Sequence, residues 1–263
     1  MENIIYYFTG TGNSLVTARM LSEKLAGKTE LRALTNYLDR EEILVDAEKT
    51  VGFIFPIYGS DAPWPVKAAA AKMRIPQGVY LYAIGTCNER GGHCMDYFAD
   101  FLKKYGYSLS YAKMLNMPGN CKESNREENE ERLELMGFSI DVFAKNINRR
   151  FVGTVGGHDF PENTVEGAKA KYASSPLAQW RVDQEKCVGC GICQKLCPMG
   201  NISLQKGNPV FSNQCAACFG CFHLCPQQAI YKPLPGFDKE RSRSRYCHPD
   251  VTWQDIAKQQ ERF

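Results

Sequence analysis

Apolar positions along the first 150 residues fall into two alternating periods. Residues 3–8 form a short apolar strand. Residues 50–55 and 79–85 are continuous apolar runs, the pattern of central strands buried on both faces of a parallel sheet. Between them the period becomes helical. Leu15, Ala18, Leu21 and Leu25 share one face, with Gly27 as a stop signal. An alanine-rich stretch over residues 64–73 carries Pro65 in its first turn, where a missing N–H costs nothing. Residues 93–105 turn Met95, Phe98 and Leu102 inward, and residues 108–115 read as a further strand. The clearest helix spans residues 125–149, with Ser124 and Glu127 as a capping-box pair and Leu133, Met136, Ile140, Phe143 and Ile147 spaced by three and four. The acidic run around Glu128 and Arg132 reads as a solvated helix face. This alternation predicts a three-layer α/β sandwich with right-handed crossovers over residues 1–150.

Beyond residue 150 the pattern fades. Gly153, Gly156, Gly157, Pro161 and the Ser-Ser-Pro at 174–176 mark residues 151–178 as a linker or surface excursion. Residues 179–233 change to short, cysteine-dense segments, which predicts a second, small domain. Residues 234–263 form a tail ending in a short helix that Thr252 and Asp255 cap. The arginine-serine run at 241–245 reads as solvated, with contact to an acidic partner as the alternative.

Composition narrows the class. The chain has 263 residues, 44% hydrophobic and 23% charged, enough apolar matter for an ordinary core. A net charge of +3 without a basic stripe argues against nucleic acid. Mean hydropathy of −0.37 and no run of 18 apolar residues argue against a membrane span. The first residues lack a basic segment and a small-residue cleavage site, so the expected location is cytoplasmic, where thiols stay reduced. The cysteines then point to metal, because eight of the twelve lie between Cys187 and Cys225.

Their spacing is more specific still. Cys187, Cys190, Cys193 and Cys197-Pro198 are followed by Cys215, Cys218, Cys221 and Cys225-Pro226, the same run twice. In such runs the first three cysteines wrap one iron–sulfur cube and the fourth reaches the neighbouring one. One cluster is thus expected on Cys187, Cys190, Cys193 and Cys225, and the other on Cys215, Cys218, Cys221 and Cys197. Zinc knuckles are the alternative, but they separate two cysteine pairs by a longer gap. The two runs resemble the bacterial-type ferredoxin domain with two four-iron four-sulfur (4Fe-4S) clusters. Each loaded cube carries about −2, so two offset the formal charge. His223 lies inside the second run and reads as a packing residue, since all eight ligand places are filled.

A second motif, Thr9, Gly10, Thr11, Gly12, Asn13 and Ser14, joins the first strand to its helix. Its hydroxyls and backbone amides can cradle a phosphate at a helix N-terminus, where doubly wound folds place their ligands. It has neither the lysine of a P-loop nor the third glycine of a dinucleotide fingerprint. A terminal monophosphate, as in FMN, suits it; a glycine-eased turn with capping hydroxyls is the plain alternative. With this loop the first 150 residues resemble the flavodoxin family, a doubly wound five-stranded parallel sheet that binds the FMN phosphate with such a segment. The resemblance implies that two loops embrace the flavin ring. One holds Pro56, Tyr58 and Gly59, with Tyr58 stacking and Gly59 offering a peptide near N5. The other holds Thr86, Cys87, Asn88, Gly91 and Gly92, and it lacks the aromatic residue found in many flavodoxins. Asp61 reads as a helix cap or as a tuner of the flavin. Cys87, Cys94, Cys121 and Cys247 read as bystander thiols.

The order of parts resembles flavodoxin–ferredoxin fusion proteins of anaerobic bacteria and archaea. That resemblance implies an electron-transfer iron–sulfur flavoprotein. Single electrons would pass from a low-potential donor, such as ferredoxin or a ferredoxin-linked oxidoreductase, through two clusters to FMN and on to a protein acceptor. The reason to join such cofactors is that a cluster passes one electron at a time, whereas FMN holds one or two. The alternative is a flavin-dependent reductase of a small organic substrate, for which Tyr82, Cys87, Glu89 and His93 are the nearby proton donors. No catalytic constellation is recognisable among them, and no nicotinamide-binding domain is expected.

Overall fold

A computed structural model describes residues 2–121, 125–173, 175–239 and 244–261. Five parallel strands form the central sheet: β1 (Asn3–Tyr7), β2 (Thr29–Ala33), β3 (Thr50–Pro56), β4 (Tyr80–Cys87) and β5 (Tyr111–Asn116). Their spatial order is 2-1-3-4-5, so the chain reverses direction across the sheet between β1 and β3. That order is one of the two common doubly wound arrangements, the flavodoxin-like one, and its switch point lies where β1 and β3 part. β1, β3 and β4 are buried almost throughout, as their continuous apolar runs require. β2 has only one fully buried residue. It is an edge strand with a mixed pattern, and periodicity alone did not mark it.

Helices α1 (Asn13–Lys24), α2 (Trp64–Ala70), α3 (Cys94–Lys103) and α4 (Arg126–Asn148) cover the sheet. On α4 the buried positions are Met136, Ile140, Phe143, Ala144 and Ile147, while Leu133 is partly buried. The expected capping residue Ser124 lies outside the described residues. The N-cap is Asn125, whose side chain accepts from the Glu128 amide. The helix expected to reach residue 73 ends at Ala70. Met73 instead joins a two-residue parallel pairing, Met73–Arg74 with Ile43–Leu44. The α3 face packs Phe98 edge-on against Phe53 and Phe55, with ring centroids 5.3 and 4.9 Å apart.

Residues 151–163 cross the outside of α3 and lead to α5 (Val165–Ala173). The cysteine-dense part is α+β. It holds the short helices α6 (Ile192–Leu196) and α7 (Gly220–His223) and an antiparallel hairpin of β6 (Ile202–Gln205) and β7 (Asn208–Phe211). A second pairing joins Arg181–Val182 to Ile230–Tyr231. The tail returns to the first unit as α8 (Trp253–Ala257), whose N-terminus is a full capping box between Thr252 and Asp255. No helix among the described residues is long and apolar enough to cross a membrane.

Candidate functional site

A cavity of about 380 Å³ opens at the carboxyl ends of β1, β3, β4 and β5, where the switch point directs ligands. Its floor is the loop after β1. Gly12 takes φ +102°, a left-handed turn that starts α1. The first turn closes when the Val16 amide bonds Gly12 O at 2.9 Å. The amides of Asn13, Ser14 and Leu15 precede that bond, and no side chain caps them. An uncapped helix end beside the Thr11 and Ser14 hydroxyls suits a phosphate-type anion.

Second-layer bonds fix this loop from behind. Gly12 N donates to Thr9 Oγ1 at 3.0 Å, and Ser14 Oγ lies 2.8 Å from Thr86 Oγ1. Asn13 donates to Pro118 O at 2.9 Å and accepts from the Tyr246 hydroxyl at 2.5 Å. The tail supplies the rest. The buried Gln259 accepts from Thr9 N (2.8 Å) and donates to Thr9 O (3.0 Å), while His248 N donates to Thr11 O (2.9 Å). These contacts leave the inner side of the loop open to the cavity.

Thr9, Gly10, Thr11, Asn13, Ser14, Pro56, Tyr58, Gly59, Thr86, Cys87 and Asn88 line the cavity. Three of the glycines singled out in the sequence sit elsewhere. A β-carbon on Gly12 would meet Val251 and His248 of the tail, one on Gly91 would meet Met114 and Ile57, and one on Gly92 would meet Ser60. Asp61 also faces away: it accepts from the Ala62 amide and pairs with the wholly buried Lys67 at 2.7 Å. It does not cap α2, whose N-cap is Pro63. Tyr82 is buried against Gly52 inside the sheet, so it is no proton donor for the cavity. Cys87 and Glu89 line the cavity and His93 does not. Burial pushes the Cys87 thiol up to about 11, which keeps it protonated near neutrality.

Several walls come from segments that carried no motif. Pro118, Gly119, Asn120 and Cys121 follow β5. The rule that ligands sit beyond the carboxyl ends of strands was the signal available for them. Lys171, Tyr172 and Ser175 come from α5 and its exit, so the excursion closes one side of the cavity. Tyr172 donates to Tyr58 O at 2.9 Å, and Lys171 donates to Gly59 O at 2.8 Å. The peptides on either side of Gly59, itself at φ +54°, are thereby held from outside. Arg132 of α4 is only 15% exposed and bonds Asn88 of the β4 loop, so this part of the helix face is not simply solvated.

The eight clustered cysteines divide between two smaller cavities. Cys187, Cys190, Cys193 and Cys225 line one, and Cys197, Cys215, Cys218 and Cys221 line the other. The fourth cysteine of each run therefore sits with the first three of the other, the crossed grouping expected from the spacing. Burial raises the thiols, Cys193 to about 11 and Cys218 and Cys221 further, and neighbouring cysteines add to the effect. Thiols held this way suit soft metal ions, whose charge inverts that balance and deprotonates the sulfur. Both donor sets fit four-thiolate ligation. The first cradle is the more accessible, with Cys190 exposed. The second has Cys197, Cys218 and Cys221 buried.

The inner cradle adjoins the large cavity. Ala217 and Phe219, on either side of Cys218, line the large cavity, and Cys218 and Phe219 line the inner cradle. A β-carbon on Gly10 would lie 2.2 Å from Cys218 O, so the two loops meet backbone to backbone. Asn120 bridges them by donating to Cys218 O (3.2 Å) and to the Tyr58 hydroxyl (3.3 Å). His223 takes a packing and bonding role, with Nε2 2.7 Å from Asn120 O and Nδ1 accepting from the Tyr246 amide. Behind the inner cradle lies Lys232, wholly buried and 3.6 Å from the Trp180 ring centre; burial lowers its pKa to about 8. Arg245 is half-buried. It stacks on Phe222 at 3.5 Å and bonds the carbonyls of Phe222, Gln228 and Ile230. The rest of the arginine-serine run, residues 241–243, lies outside the described residues.

Topology and cysteine pattern define a chain in which a flavodoxin-like α/β unit is followed by a ferredoxin-like iron–sulfur unit. A family model described as the 4Fe-4S binding domain matches residues 180–203. An uncharacterized protein of Methanocaldococcus jannaschii is 29% identical over 59 residues, 22% of this chain and 23% of that protein. A polyferredoxin protein of Methanothermus fervidus is 34% identical over 49 residues, 19% of this chain and 12% of that protein. The chain thus matches less than a quarter of the length of either relative. Among solved structures, a flavodoxin from the domain Archaea aligns with 55% of this chain and 99% of its own, at 15% identity and a TM-score of 0.35.

Proposed function

We propose that this protein is an electron-transfer iron–sulfur flavoprotein that binds FMN in the large cavity and a 4Fe-4S cluster in each cysteine cradle. The carrying observation is the shared wall, because Phe219 lines both the large cavity and the inner cradle. A group held by Cys197, Cys215, Cys218 and Cys221 is then the neighbour of a flavin. One held by Cys187, Cys190, Cys193 and Cys225 is the more accessible to an outside donor. The clusters supply single electrons, and the flavin collects them in ones or twos. The residues 9–14 loop holds the phosphate, and the loops after β3 and β4 hold the ring. A reduced ferredoxin or a ferredoxin-linked oxidoreductase fits as donor, and a redox protein as acceptor.

The cavity volume lies at the lower end of the roughly 300–1,000 Å³ typical of ligand pockets, which suits one cofactor-sized occupant. The test is cofactor content after isolation without oxygen. About eight irons and one FMN per chain are expected, from two four-iron sites and one phosphate loop. Cys190→Ala or Cys218→Ala should each lose about half the iron and keep the flavin. Replacing Thr11 and Asn13 with alanine should release flavin and keep the iron. Unchanged iron in both cysteine variants, or unchanged flavin in the loop variant, would refute the corresponding assignment.

A further inference from the structure

A further cluster of ligating side chains lies outside the large cavity and the two cysteine cradles. Residues 156–158 dock on the first turns of α3 through three successive amides. Gly156 N donates to Asp96 Oδ1 at 3.0 Å, and Gly157 N and His158 N donate to Asp100 Oδ2 at 2.7 and 3.0 Å. The docking needs φ of +106° at Gly156 and +93° at Gly157, which side chains rarely allow. It brings His158 over His93, with their rings stacked 3.9 Å apart at 22°. Each ring then turns its Nδ1 to the same oxygen, Asp96 Oδ2, at 3.3 Å from His93 and 3.2 Å from His158. All three ligand atoms lie within 4.8 Å of one another.

Zinc binds imidazole nitrogen and carboxylate oxygen at about 2.0–2.2 Å, so a tetrahedral site separates its ligand atoms by roughly 3.3 Å. Both nitrogen–oxygen separations already have that value. An imidazole holds a metal in its own plane, so one of the two stacked, half-exposed rings must turn to share the ion with the other. The chemistry agrees. Two imidazoles and a carboxylate suit a borderline divalent ion better than calcium or magnesium, which take oxygen.

We propose that His93, Asp96 and His158 bind one divalent transition-metal ion of the zinc type, with solvent completing its coordination. The histidine side chains are 54% and 50% exposed, which leaves a path for the ion and an open coordination position. The ion fastens residues 151–163 to α3, and that segment leads directly into α5, which carries Lys171 and Tyr172 to the large cavity. The cysteine cradles are on a different part of the chain, so the site stands whether or not clusters and flavin bind as proposed.

The test is calorimetric titration of ZnCl2 into the anaerobically isolated full chain, previously cleared of loosely held metal. One equivalent is expected to bind. His93→Ala and His158→Ala should each weaken that binding at least about tenfold, the loss seen even for residues that merely support a ligand. Iron and flavin content should match the parent, showing that the variants fold. Asp96→Asn, which keeps the shape of the carboxylate, should weaken it too. Zinc should also slow proteolysis within residues 151–163 in the parent and not in the histidine variants. Binding of equal stoichiometry and affinity in parent and variants would place the ion on other ligands and overturn the proposal. Absence of a zinc-binding event in the parent would also overturn it.

Discussion

Lys67 is fully buried, yet its ammonium pairs with Asp61 at 2.7 Å and donates to Asn163 at 2.8 Å. Burial lowers its pKa, and the facing carboxylate opposes that shift. Removing one partner of such a pair leaves the other charge uncompensated. Asp61→Ala should therefore destabilise the fold by about 3–5 kcal/mol, read by denaturant unfolding. A change within experimental scatter would show that the pair adds nothing. Lys232 sits behind the inner cradle, with its ammonium 4.1 Å from the Phe219 ring centre. A positive charge there stabilises the reduced, more negative form of a cluster held by the inner four cysteines. Lys232→Met should lower the potential of one of two clusters by tens of millivolts and leave the other in place. Potentiometric titration followed by electron paramagnetic resonance checks it, and equal shifts in both would contradict the placement.

The tail is the element whose role the sequence concealed. Its residues carry no motif, but the segment before α8 brings His248, and the turn after it Gln259, onto the residues 9–14 loop. Arg19 anchors that helix through Asp255 at 2.6 Å. The same carboxylate accepts from Thr252, and these contacts hold it well below the usual carboxylate range. A depressed carboxylate contributes its stabilisation above the unfolded-state value, about 3.9, and loses it as pH falls toward the folded value. Amide exchange in residues 252–261 should thus accelerate below about pH 4, and Asp255→Asn should show the faster exchange already at neutral pH. Identical exchange in parent and variant would contradict the anchor. Gln259→Ala should weaken FMN binding several-fold in fluorescence titration, because the Thr9 backbone loses both its bonds to that side chain.

What could be read beforehand follows from where the determinants lie. Strands buried on both faces showed as unbroken apolar runs, and the cysteine grouping followed from ligand spacing alone. Edge strand β2 is half exposed, so its pattern is mixed. Tyr172 and Asn120 reach the cavity, and Gln259 the loop that floors it, only through contacts between segments 62 to 250 residues apart. Spacing along a chain carries no record of such contacts. Arg245 misled for the same reason, since a charged run reads as solvated until Phe222 is seen beneath it.

At the scale of the whole molecule, the fold places the buried cradle against the large cavity and leaves the accessible one outward. The two loops meet at Gly10, where a methyl group has no room beside Cys218 O. Gly10→Ala should force the two loops apart and slow transfer between them more than it changes either cofactor's content. The most direct measurement is anaerobic stopped-flow reduction by a low-potential donor, with cluster and flavin absorbance followed together. The account predicts that cluster bleaching precedes flavin reduction, and that Cys218→Ala abolishes the coupled flavin phase. Flavin reduction that precedes the clusters, or proceeds at the parent rate in Cys218→Ala, would contradict it.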